Sequence, residues 1–171
     1  MATIRFRWSN RGYIAIGVVT VAIAAAFGYR GEQFDGVVVR IVDGDTFALQ
    51  GESREVIVRL WGVDAPEMDQ PFGMGAKMAL GELCMGETVH VLVTDVDQYK
   101  RRVCRVTLPD GRDVGEEMVR TGCAWWSREY APRDAKLKAL EGAARLEKVG
   151  LWNHKPCVSP ATWRQRQRHI H

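Results

Sequence analysis

Residues Glu55–Glu67 read EVIVRLWGVDAPE, an apolar, β-branched run interrupted by one arginine and closed by two acids that flank a proline. Such a run is a strand. On a pleated strand Val58, Leu60 and Gly62 face one way, while Ile57, Arg59, Trp61 and Val63 face the other. Arg59 therefore shares a face with residues that are at least partly buried, and a semi-buried guanidinium requires an anion beside it.

Strand patterning extends on both sides of this stretch. Upstream, GVVVRIV (36–42) and TFALQ (46–50) are strands joined by the turn Asp43–Gly44–Asp45, so three consecutive strands form a meander. Downstream, GAKMALGELC (75–84) places Ala76, Ala79, Leu80 and Leu83 at helical spacing, with Gly86 able to close the helix in a left-handed conformation. TVHVLVT (88–94) and RVCRVTL (102–108) are strands again. VGEEMVRT (114–121) is a short helix stopped by Gly122, and Asp134–Lys148 is a longer helix ended by Gly150. Five strands with a helix between the third and fourth is the order of an OB-type barrel, so the fold class is α+β, mainly a five-stranded barrel, with about three helices. The chain from Trp163 to His171 is basic and is expected to fray.

The chain has 171 residues, 46% hydrophobic and 26% charged, enough for one core and little more. Its amino terminus carries Arg5, Arg7 and Arg11 before an uncharged stretch, Gly12–Tyr29, that contains an Ala24-x-Ala26 pattern. This is the composition of a cleaved signal peptide or a retained signal anchor, and the basic flank sends the remainder across the membrane. Residues 1–30 are thus an export segment, 34–156 the folded domain and 157–171 a basic tail. Export makes the domain periplasmic, extracellular or membrane-anchored outside the cytoplasm. Four of the 24 basic residues and none of the 21 acidic ones fall in residues 1–30, so the rest of the chain carries 20 against 21, net −1. A polyanionic partner must then be held by a local cluster. Cys84, Cys104, Cys123 and Cys157 contain no C-x-x-C pair. Export permits disulfides, with Cys104–Cys123 the pairing favoured by element placement and four free thiols the alternative.

A barrel that joins the two strand ends gathers Asp43 and Asp45 with Asp64 and Glu67. Clustered carboxylates suit a hard, oxygen-loving cation such as Ca²⁺. The segment DQYKRR (97–102), between the last two strands, adds Arg101 to Arg59. Two arginines converging on carboxylates and an ion form a site for phosphoryl chemistry. The competing reading is a solvated acidic turn and a structural ion pair to Arg59.

VVRIVDGDTF (38–47), VRLWGVDAPE (58–67), QPFG (70–73), DQYKR (97–101), GEEMVRTGCAW (115–125) and GLW (150–152) resemble, in order and at fitting separations, the successive blocks of the staphylococcal nuclease family. The resemblance implies a Ca²⁺-dependent phosphodiesterase on an OB barrel that acts on DNA and RNA and leaves 3′-phosphate ends; single strands are expected to be favoured because they expose the scissile phosphate and let bases stack on rim aromatics. It implies Asp45, Asp64 and the carbonyl of Ala65 as metal ligands, Glu67 as the group activating water, and Arg59 and Arg101 as phosphate-binding cations. Tyr99 and Tyr130 match nucleotide-binding positions, with rim packing as the alternative. Family members commonly have glycine where Lys100 stands; a positive φ there would strain the lysine, which otherwise adds phosphate-binding charge. A monomer is expected, touching membrane only through residues 1–30 if they are retained. The alternative function is a noncatalytic OB module that binds nucleic acid or polysaccharide.

Overall fold

The computed structural model describes residues 31–51, 54–153 and 157–168, so the predicted export segment lies outside the described residues. In chain order the elements are β1 (Gln33–Ile41), β2 (Thr46–Leu49), β3 (Val56–Leu60), β4 (Val63–Asp64), α1 (Gly73–Cys84), β5 (Thr88–Val96), β6 (Arg102–Thr107), α2 (Val114–Arg120), β7 (Trp125–Trp126), α3 (Ala135–Glu147) and α4 (Pro160–Arg168). A 3₁₀ turn, Gly150–Asn153, precedes α4.

Alternation builds the barrel. Val89, Val91 and Val93 of β5 and Cys104 and Val106 of β6 are fully buried, and their neighbours along each strand are more exposed. The strands close in the order β1-β2-β3-β6-β5, with β3 and β6 parallel and the other pairs antiparallel. This is the expected five-stranded OB barrel. On β3 the two faces are as the pattern predicts: Val58 and Leu60 are in the core, whereas Ile57 and Arg59 are half-buried. Trp61, just past the strand, is covered by the Arg105 guanidinium, 4.1 Å from its ring centroid.

α1 lies between the meander and β5 and buries Ala76, Leu80 and Cys84, one residue per turn. Its approach depends on Gly44 in the Asp43–Asp45 turn. A Cβ on Gly44 would lie 2.7 Å from the Cβ atoms of both Ala65 and Ala76, so only glycine lets the turn, the end of β4 and the helix meet. Gly62 reverses the chain between β3 and β4 at φ 75°, with Leu137 and Ala131 packed against it. β4 then pairs with β7, Asp64 opposite Trp125.

Three expectations are corrected. α3 begins at its Asp134 cap, whose side chain accepts the Leu137 N–H at 2.9 Å, but it ends on Lys148 at φ 57° and not on Gly150, which opens the 3₁₀ turn. No disulfide joins the cysteines. Cys84, Cys104 and Cys123 are buried free thiols and Cys157 is an exposed one. Burial pushes Cys84 and Cys104 up to about 12, so both act as protonated packing groups. Finally, the basic tail does not fray from Trp163: residues 160–168 are helical, a fourth helix beyond the three expected.

Candidate active site

Register places Arg59 beside Asp45. Thr46 is the β2 partner of Arg59 on β3, so the residue before Thr46 sits at the strand end over the guanidinium. Asp45 is 3% exposed, and both of its carboxylate oxygens accept hydrogen bonds. Oδ1 accepts the Thr46 hydroxyl at 2.8 Å and Arg59 Nη1 at 2.6 Å, while Oδ2 accepts the Ala65 N–H at 3.0 Å. Asp43 steadies the same turn by accepting the Asp45 N–H at 3.1 Å. From its other nitrogen, Nη2, Arg59 donates to Asp64 Oδ1 at 3.0 Å. One guanidinium thus bridges two acids carried by two different parts of the chain.

Arg101 is positioned by its own loop. Asp97 Oδ1 accepts the N–H groups of Tyr99 and Arg101, both at 2.9 Å, and Oδ2 accepts Arg101 Nε at 2.7 Å. Burial works against the Asp97 charge, but these bonds from Arg101 and Tyr99 outweigh it and hold the carboxyl below its usual range. Lys100 lies at the tip with φ 63°, the left-handed conformation that glycine takes without strain. The loop keeps its turn despite the lysine, through the Lys100 N–H bond to the Asp97 carbonyl at 2.9 Å.

Asp43, Asp45, Arg59, Ala65, Glu67 and Arg101 line one cavity of about 620 Å³, with Tyr99 and Tyr130 at its exposed edge. The Arg101 guanidinium lies 5.3 Å from the centroid of the Tyr99 ring. Asp64 lines the adjoining cavity of about 700 Å³, which shares Tyr130 with the first. Of the candidate site residues read from the sequence, Lys100 alone lines neither of these two cavities, and it is exposed.

The sequence reading missed Arg164. From α4 its Nη1 reaches Glu67 Oε1 at 2.5 Å and its Nη2 reaches Asp64 Oδ2 at 3.1 Å. A local signal for α4 exists in Ser159–Pro160: Ser159 Oγ accepts the Thr162 N–H at 3.3 Å, and proline takes the first helical position. Nothing local points from Arg164 to acids a hundred residues earlier.

The donor set fits a hard cation. Its ligand atoms are all oxygens, and two carboxylates already share one positive group. Burial together with the Asp45 charge pushes Asp43 up to about 6, and burial also raises Asp64. Both acids are therefore costly to hold charged where they stand, and a cation bound beside them would favour the charged forms. No group of three or more His, Cys, Asp or Glu set to hold an ion occurs among the described residues. Asp45, Asp64, the Ala65 carbonyl and water would have to supply the shell, a mixture Ca²⁺ accepts.

Residues 57–154 match the family model described as staphylococcal nuclease homologue. The chain belongs to the staphylococcal nuclease family. Relatives of this staphylococcal nuclease homologue include a protein of Escherichia coli O157:H7 named uncharacterized endonuclease, 39% identical over 132 residues that cover 77% of this chain and 86% of the relative. A micrococcal nuclease of Shigella flexneri is 34% identical over 164 residues, 91% of each chain. A probable staphylococcal-like nuclease of Oryza sativa subsp. japonica is 38% identical over 111 residues, 65% of this homologue and 33% of the plant protein.

Proposed function

We propose that this member of the family is an exported, Ca²⁺-dependent phosphodiesterase that hydrolyses DNA and RNA with little sequence preference and leaves 3′-phosphate ends. The observation that carries the reading is the convergence of Asp45 and Asp64 on Arg59, with Glu67 and Arg101 facing the same cavity as Asp45.

Asp45, Asp64 and the Ala65 carbonyl would hold the ion, which when bound supplies Lewis-acid polarisation of a phosphate oxygen. Glu67 would orient a water and take its proton on a carboxylate oxygen as the new oxygen–phosphorus bond forms. The bond from phosphorus to the 5′-oxygen breaks in line, and that oxygen leaves with a proton from solvent. Arg59 has N–H donors beyond the two it spends on acids, and these would reach the phosphoryl oxygens with those of Arg101 as charge builds in the transition state. Tyr99 and Tyr130, 71% and 62% exposed, offer faces for unstacked bases. Stacking on ring faces tolerates any base, which is why single strands of any sequence are the expected substrate.

Short single-stranded DNA and RNA of mixed sequence, incubated with the protein and Ca²⁺, should both be cut throughout and carry 3′-phosphates by mass spectrometry. Cleavage restricted to one sequence or one sugar would contradict the substrate reading, and binding without cleavage would favour a noncatalytic module.

A further inference from the structure

Arg164 enters the site from beyond residues 57–154, the stretch that matches the family model. It is carried by α4, and α4 is seated on the loop after β4 by side chains other than Arg164. Pro160 is buried, the Gln70 amide donates to the Val158 carbonyl, and Trp163 Nε1 donates to Asp69 Oδ1 at 3.2 Å. The helix is thus held in place independently, and its arginine is delivered to two acids with different tasks. Both nitrogens face Asp64, at 3.4 Å to Oδ1 and 3.1 Å to Oδ2, while Nη1 also binds Glu67 Oε1 at 2.5 Å. Asp64 Oδ1 is in addition the acceptor for Arg59. Both oxygens of Asp64 are consequently occupied by guanidinium groups.

We propose that Arg164 is a positioning residue of this site that holds Asp64 and Glu67 in place while no metal is bound and competes with the divalent cation for Asp64. The inference rests on the reading of Asp64 as a metal ligand. Guanidinium N–H groups take three of the about four lone-pair sites of Asp64, two of them from Arg164, so the cation and Arg164 contend for the same carboxylate and loading the ion weakens or displaces the arginine. The chain then shows a weaker apparent metal affinity than its acids alone would give, reduced by the fraction of molecules in which the arginine is seated. A displaced Arg164 also leaves Glu67 Oε1 open to a water.

Ca²⁺ binding to the full chain, measured by titration calorimetry without nucleic acid, separates this role from a merely structural one. Arg164→Gln should bind Ca²⁺ about three- to tenfold more tightly than wild type. Arg164→Lys keeps the charge but presents a single nitrogen that cannot grip Asp64 and Glu67 together, so it too should bind more tightly than wild type. Unchanged or weaker binding by Arg164→Gln would overturn the proposal. Wild-type affinity in Arg164→Lys would also overturn it, since the effect would then be one of net charge without competition. Absence of Ca²⁺ binding in all three proteins would overturn the metal reading itself, and this inference with it.

Discussion

Glu67→Gln should lower turnover by roughly 10² to 10⁴, and saturating Ca²⁺ should not restore it. Glutamine preserves the size of the side chain and can still accept a bond from Arg164, so the local packing stays as it is. What it cannot do is take a proton from water. Glu67 is 37% exposed at the side chain and its backbone N–H is held by Gln70 Oε1 at 3.2 Å, so the substitution leaves the loop anchored. Single-turnover kinetics at saturating metal and substrate check the expectation; wild-type turnover would remove Glu67 from the chemistry.

Asp45→Asn should fail differently. As a proposed ligand its loss weakens ion binding at least tenfold, on the order of what even outer-shell changes cost metal sites, and raising Ca²⁺ should recover part of the activity. The same change should also destabilise the metal-free protein. As a turn-end acid, Asp45 reads in the sequence as a residue whose charge is dispensable to folding. In the structure it accepts three donors while 3% exposed. Asparagine keeps one acceptor and turns an NH₂ toward either Arg59 or the Ala65 N–H, a donor facing a donor, at a cost of about 1–3 kcal/mol. Chemical denaturation without metal should show that loss, whereas an unchanged midpoint would mean the Asp45 bonds contribute nothing net.

These two cases show what was legible. The barrel was, because its strands are β-branched and alternate, and because Gly44 and Gly86 punctuate them where geometry demands. The convergence of Asp45, Arg59 and Asp64 was legible as well, since each sits at the end of a strand whose partner was already clear. The resemblance marked Lys100 as standing where glycine is common, and the backbone there takes a φ of 63°. Deep burial of Asp45 was not legible: it follows from the Ala65 N–H and the approach of α1 across Gly44, contacts between segments distant in sequence. Arg164 was hidden for a related reason. Residues 163–168 are mostly polar, with no apolar stripe to reveal a docked helix, and α4 is seated largely by polar contacts with Asp69 and Gln70. The thiols were misjudged because compartment was allowed to speak for pairing, whereas each of Cys84, Cys104 and Cys123 is buried as a separate thiol.

Whether the acids around Arg59 form a metal-dependent nuclease site is tested most directly by degradation of plasmid DNA by the full chain in Ca²⁺ and in excess chelator. The plasmid should be lost progressively with Ca²⁺, with arrest on adding chelator and recovery when Ca²⁺ is restored. Degradation that continues undiminished in chelator, or an intact plasmid at saturating Ca²⁺, would contradict such a site.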